Sequence, residues 1–449
     1  MNAAEKIPYP NQKYAWYVVF ILFIAYTSSF IDRQIMSLLV EPIKRDLQIN
    51  DTQFSLLHGF AFAIFYTFMG LPLGRLSDRR NRKWIIAAGI FVWSLLTAVC
   101  GLAKTFWHLF LARIGVGVGE AALSPAAYSM IADMFPIARR SLPAGMYSMG
   151  VFFGAGVAFI LGGYVVQLAS GAADIVLPLV GSIRPWQLTF FIVGLPGLLV
   201  VLLTILTVRE PARHDIAKLD SDGGDGHSIA ATLRYVGKRR RLYFSVIFGF
   251  AFLATASYGF FTWTPSFMVR SYGWEASNAG YAFGLLVLVF GTGGTLSAGI
   301  IADYLFSRGK LDANMRVGLY AGLGILVFGC AAPLMPTATL ALLCLGPTVF
   351  CLAFSVGLAP ASASFISPNQ FRGQAIALYL FATNLIGLGI GPTVVAVITD
   401  YGFGDPGALR YSLAIFSVVI ALLAILTLAV GITPYRQHAQ SMLDEQTNT

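Results

Sequence analysis

The chain has 449 residues, 57% of them hydrophobic and only 11% charged, with a mean hydropathy of +0.72. A water-soluble domain of this length does not carry so much apolar surface, so the expected solvent is lipid. The net charge of +9 is not a nucleic-acid footprint, because the basic residues sit in short turns between apolar runs, where they set orientation in a membrane.

In chain order, a short polar tail to Lys13 precedes apolar runs at Tyr14–Leu39, Phe54–Leu76, Trp84–Ala103, Trp107–Met134, Leu142–Leu168 and Gln187–Val208. Six more follow at Leu242–Val269, Ala276–Leu305, Val317–Leu334, Thr337–Ile366, Gly373–Thr399 and Tyr411–Ile432. Each is long enough to cross a hydrocarbon core of roughly 30 Å with some tilt. Barrel strands would be about half as long and would alternate. The expected fold is therefore an all-α membrane protein of twelve transmembrane helices. The first run leads into Asp32-Arg33 rather than a small-residue cleavage site, so it is expected to stay as a helix.

Lys and Arg set the expected orientation. With both termini on one side, that side holds Arg75, Arg79, Arg80, Arg82, Lys83, Arg139, Arg140 and the basic residues between 209 and 241. The other holds only Lys44, Arg45, Lys104, Arg184, Arg270 and Arg410. The rich side is expected to be cytoplasmic; the short tails look bacterial, which makes an inner membrane the expected place. Residues 209–241 mix basic residues with Asp215, Asp220, Asp222, Asp225 and Gly223-Gly224. They read as a solvated linker, with room for a helix along the membrane surface. The division is 1–208, an N-terminal six-helix bundle; 209–241, the linker; and 242–449, a C-terminal six-helix bundle with a short tail. The halves repeat: Gly74 and Asp78 recur as Gly299 and Asp303, and Arg140 and Tyr147 as Arg372 and Tyr379. Parallel pseudo-symmetric halves around a central cavity are a transporter architecture.

Charges within the apolar runs locate the candidate site. In Trp107–Asp133, Arg113 and Glu120 are seven residues apart, which returns to nearly the same helix face about 10 Å further along. Gly115, Gly117 and Gly119 between them admit a neighbouring backbone. Ionisable groups at this depth face a bundle interior or a wet cavity. Asp32 and Arg33 lie late in helix one. Helices one and four run in opposite directions, which puts Asp32 and Arg113 at about the same depth and makes a contact between them possible. Protonation of Asp32 or Glu120 would then free Arg113 for an anionic substrate group. The plainer alternative is a permanent structural ion-pair network. The C-terminal half offers Tyr258, Thr262, Tyr379 and Asn384 as cavity-lining candidates but no deep charge. Such one-sided polarity suits an amphipathic cargo with one charged end.

The stretch Gly74-Arg75-Leu76-Ser77-Asp78-Arg79-Arg80-Asn81-Arg82-Lys83 resembles the loop between helices two and three of the major facilitator superfamily, with Asn81 where that family usually has Gly. By resemblance, Gly74, Asp78, Arg79, Arg82, Arg140 and Asp303 form a cytoplasmic gate that latches in the outward-open state. Asp78 would cap the helix starting near Gly373. Asp32-Arg33, this loop, and the run from Arg113 to Ala121 together look like the spinster branch of that superfamily. The resemblance implies a proton-linked carrier of lysolipids or sphingoid phosphates, with Asp32, Arg33, Arg113 and Glu120 at its charged positions.

Two further functions compete: a proton symporter of small organic anions or a drug exporter, and a sensor that binds without transporting. No metalloprotease, serine-hydrolase or phosphate-loop motif is present in the sequence. The four cysteines, Cys100, Cys330, Cys344 and Cys351, show neither metal spacing nor a disulfide framework. The expectation is a non-enzyme with no metal and no cofactor beyond a proton gradient. Its expected partners are membrane lipids and a small anionic or amphipathic substrate, with no nucleic acid, and it is expected to be a monomer.

Overall fold

A computed structural model describes residues 9–136, 139–170, 175–177, 181–213 and 229–447. Among these described residues, twelve helices are long and apolar enough to cross a membrane. They are numbered here as spans 1 to 12: Gln12–Leu38, Asp51–Ser77, Arg82–Cys100, Phe106–Met134, Leu142–Ala169, Pro185–Thr207, Arg240–Tyr272, Ala276–Ser307, Ala313–Leu334, Ala338–Phe365, Gln374–Phe403 and Pro406–Met442. The twelfth continues as helix to Thr447, well past the apolar run that the sequence marks. An even number of crossings puts both ends of the described chain on one side, called here the near end; the opposite side is the far end.

Local chemistry explains several boundaries. Asn50 and Gln53 form a reciprocal capping box at the start of span 2, with bonds of 2.8 and 3.0 Å. Asn81 opens span 3 as an N-cap, its Oδ1 accepting from the Trp84 N–H at 3.3 Å. Its φ of −65° is ordinary, so Asn81 stands in the motif as a cap and not for left-handed freedom. Span 4 breaks after Glu120, between Phe106–Glu120 and Leu123–Met134. Pro125 accounts for this, because its ring conflicts with the carbonyl four residues earlier, at Ala121. Glu120 therefore sits at a helix end inside the bundle. Between spans 5 and 6 the chain forms a small antiparallel hairpin, β1 (Ile175–Leu177) with β2 (Gly181–Ile183), which the helical periodicity did not anticipate. Late in the linker a described helix, Ile229–Lys238, packs its Tyr235 on Phe371 at 4.9 Å between ring centroids. Residues 214–228, with the linker acids, lie outside the described residues.

Within the N-terminal half, span 1 packs along span 5; within the C-terminal half, span 7 packs along span 12. The halves meet where span 5 crosses span 8 and span 2 crosses span 11, two crossings related by an offset of six spans. The first crossing is close enough to require glycine. A Cβ on Gly156 would stand 2.7 Å from the Leu288 nitrogen, and one on Gly284 would stand 2.8 Å from the Gly156 oxygen.

Polar contacts close the far end. Arg270 donates to both oxygens of Asp51, at 2.6 and 2.8 Å, and to Glu41 at 2.7 Å. Lys44 also pairs with Asp51. The Thr52 N–H and hydroxyl donate to Asp400 at 2.6 and 2.7 Å, and the Tyr281 hydroxyl donates to Gln167 at 2.8 Å. Several near-side positions stand uncovered. Tyr128 of span 4 is 43% exposed, although it lies only eight residues beyond the buried Glu120. A Cβ on Gly70 or on Gly357 would meet nothing within 4 Å.

Candidate functional site

Spans 1, 2 and 4 bring the N-terminal charges together. Asp32, Arg33, Arg113 and Glu120 are all buried, and none faces lipid. Arg33 Nε donates to Glu120 Oε2 at 2.5 Å. The same guanidinium lies over the rings of Phe62 at 4.7 Å, Tyr66 at 4.9 Å and Phe30 at 5.1 Å. Arg113 lies over Phe62 at 5.3 Å, so one ring separates and supports two cations. Phe62 can take that place because span 4 presents Gly117 to it: a Cβ there would stand 2.6 Å from the Phe62 carbonyl oxygen. The small residues between Arg113 and Glu120 thus serve to seat an aromatic platform.

The pairing differs from the sequence expectation. Arg113 Nη1 reaches the main-chain carbonyl of Asp32 at 3.5 Å, and no ion pair joins the two side chains. Asp32 Oδ1, Glu120 Oε1 and Arg113 Nε have no hydrogen-bond partner. The residue that Glu120 restrains is Arg33. Sequence position could not decide this, because the alignment of two antiparallel helices depends on tilt and on the break after Glu120.

A small cavity opens beside these groups, lined by Arg33, Gln34, His58, Arg113, Tyr258 and Thr262 on its polar side. Phe30, Phe62, Phe261 and Leu388 complete it. Tyr258 and Thr262 therefore line it as expected. Tyr379 is buried and Asn384 partly buried, and neither borders this cavity. Sequence reasoning missed His58 and Gln34. His58 carried the same signal as Asp32, an ionisable residue inside a membrane span. Gln34 carried none beyond its place beside Arg33. The far-end clamp was missed too, because Asp51 and Arg270 lie at span ends and read as loop charges.

The gate motif has a different occupation from the expected one. Arg82 is wholly buried and pairs with Asp133 and with Glu210, the latter at 2.7 Å; it also donates to the Ser129 carbonyl and hydroxyl at 3.0 Å. Ser129 and Asp133 lie on span 4 and Glu210 just after span 6, so Arg82 ties span 3 to span 4 and to the start of the linker. Gly74 faces only Pro125, at an ordinary 3.8 Å, so no helix presses close there. Arg79 and Asp303 are exposed, and Arg140 Nε donates to the Phe135 carbonyl at 2.8 Å. The side chains of Asp78 and Arg372 lie outside the described residues. Among the described residues, the contacts of Arg82 and Arg140 given above stay on the N-terminal side of the molecule.

Residues 19–392 match the model of the Major Facilitator Superfamily. An MFS-type efflux pump of Mycolicibacterium smegmatis is 29% identical over 91% of this chain and 90% of its own length. A probable galactarate/D-glucarate transporter of Bacillus subtilis is 26% identical, covering 94% and 92%. Among solved structures, a bacterial homologue of the human lysosomal transporter spinster, in an inward-facing and unoccupied conformation, superposes with a TM-score of 0.76 at 26% identity. That likeness covers 97% of this chain and 99% of the other.

Proposed function

Since the chain belongs to the Major Facilitator Superfamily and is a multi-pass membrane transporter with a spinster-like structural neighbour, we propose that it carries an anion by proton-coupled alternating access. The pairing of Glu120 with Arg33, a residue of the cavity wall, carries this reading. A guanidinium held by Glu120 at 2.5 Å is not free to hold a substrate carboxylate or phosphate at full strength. Protonating Glu120 removes that competitor. Arg33 then remains charged on the faces of Phe30, Phe62 and Tyr66, positioned for an incoming anion. Deprotonation restores the competitor and expels the anion. Proton and anion thus travel together, with Arg33 in the role that the sequence suggested for Arg113.

The leading cargo is amphipathic, a lysolipid or sphingoid phosphate, with its charged head on the guanidinium groups and its chain along the Phe30, Phe62, Phe261 and Leu388 wall. A small hydroxylated organic acid is the second reading. It is favoured by the polar groups Gln34, His58 and Thr262 on the same cavity, and by the sugar-acid relative. The near end is the cytoplasmic side of a bacterial inner membrane, where the basic loops lie, so the arrangement described is inward-open. The Gly74–Asp78 and Gly299–Asp303 motifs would engage in the opposite state. The carrier functions as a monomer, with the proton gradient as its only driving force.

Flux into proteoliposomes tests this. Wild-type protein should accumulate a labelled anion when a pH gradient is imposed, with lysolipids, sphingoid phosphates and small carboxylates as the panel. Glu120→Gln should still exchange anion across the membrane but lose gradient-driven accumulation; Arg33→Ala should lose both. Undiminished accumulation by Glu120→Gln would end the coupling scheme. Binding without any flux would identify a sensor.

A further inference from the structure

His58 is 4% exposed and lies in a π-helical turn, Leu56–Phe60, inside span 2. Such turns insert one residue into the helix, re-aim a side chain, and recur at functional sites. Here the turn backs onto a second π-helical stretch, Thr383–Ile390 of span 11, and aims His58 at the cavity. Its Nε2 is 3.2 Å from Ser37 Oγ, and its Nδ1 is 3.3 Å from Thr262 Oγ1. The Thr262 hydroxyl has a single proton and donates it to the Tyr258 carbonyl at 2.9 Å. In the tautomer that carries the ring proton on Nδ1, Thr262 accepts from His58 and Ser37 donates to Nε2. Both contacts to the ring are long for bonds of their type, so the Nδ1–H is loosely held.

Two other buried atoms on this cavity have no partner: Gln34 Oε1, on a residue 4% exposed, and Arg113 Nε, on a residue 1% exposed. An acceptor, a fixed cationic donor and an exchangeable neutral donor thus surround one space. Unpaired buried polar atoms are destabilising, so native proteins keep few of them without a reason. The geometry points to a hydroxyl-reading subsite beside the anion site. Gln34 Oε1 accepts from, and His58 Nδ1–H donates to, a hydroxyl carried next to the substrate's anionic group. A hydroxyl answers both because it is donor and acceptor at once, which an alkyl group is not. The ligand class is a hydroxylated anion, a description that fits both a polyhydroxy acid and a lysophospholipid headgroup. The inference rests on Arg33 and Arg113 receiving the anion.

Matched ligand pairs test it on the purified full-length protein, by calorimetry or competition binding. Glucarate and adipate differ only in hydroxyls; so do a lysophosphatidate and its deoxy analogue, an acyl propanediol phosphate. The hydroxylated member of the pair that binds should bind about tenfold more tightly, a difference of about 1.4 kcal/mol. The preference is moderate because His58 falls back on Thr262 when no hydroxyl is offered. His58→Leu and Gln34→Met should each narrow the preference to threefold or less while leaving the deoxy member's affinity within twofold. Which pair binds tells a small acid from a lipid. Equal binding of both members by wild-type protein overturns the subsite, with no variant needed. So does a His58→Leu or Gln34→Met protein that weakens both members equally. Failure of all four ligands to bind overturns the anion reading itself, and the subsite with it.

Discussion

Replacing Arg270 by Met removes the central group of the far-end closure. Arg270 has 7% of its side chain exposed, and the Asp51 side chain is fully buried, so their two bonds of 2.6 and 2.8 Å are desolvated. Hydrogen bonds to charged groups contribute about 1.5–3 kcal/mol each. Lys44 stays paired with Asp51 and limits the loss. Glu41 is 45% exposed, so its bond to Arg270 adds at most about 1 kcal/mol. In a far-open state Arg270 would be hydrated and truncation would cost nothing. The loss therefore falls on the closed state alone, at about 2–3 kcal/mol, which moves the equilibrium toward far-open by about 30- to 140-fold. Spin labels at the exposed Arg45 and Tyr401 report it after the four native cysteines are replaced. Pulsed-dipolar distances from Arg45→Cys/Tyr401→Cys protein should gain a longer component when Arg270→Met is added. Asp51→Asn should produce part of the same change, and Arg270→Met added to it should shift the distances less than on wild-type protein. An unchanged distribution in Arg270→Met would refute the view that this clamp holds the far end closed.

Two further outcomes follow from buried or offset charges. Arg82→Met removes the cation that Asp133 and Glu210 share and should cost about 3 kcal/mol. A clear drop in the detergent unfolding midpoint would register this, with Arg82→Lys recovering part; an unchanged midpoint would mean the network is a surface ornament. Asp312, between spans 8 and 9, is pushed up by burial, but bonds from Arg316 at 3.0 Å and Arg436 at 2.7 Å more than offset that and hold its carboxyl below the ordinary value. A lowered folded-state value means stabilisation that is complete above the unfolded carboxyl's pKa of about 3.9 and is lost as pH falls through the folded one. Asp312→Asn should therefore flatten the acid limb of the stability curve below about pH 4, with little extra loss there. A limb as steep as wild type would show that the pair is not the source.

The sequence by itself determined the elements and the inventory of costly groups. Twelve apolar runs leave a chain in lipid no option but helices, since each backbone polar group must be satisfied within its own segment. The same expense marked Asp32, Arg33, Arg113 and Glu120 as interior, because lipid does not tolerate them. Only the tertiary structure decided who pairs with whom. Arg33 rather than Arg113 meets Glu120, because the break at Pro125 and the approach of Phe62 over Gly117 set the depths of spans 1, 2 and 4. Arg82 turned inward to Asp133 and Glu210, although its motif read as a bridge between halves. Asp51 and Arg270 are 219 residues apart and became a clamp. Helix formation is a local matter of sequence, whereas ion pairing depends on ångström-level register between spans, which is set by packing that no single span contains.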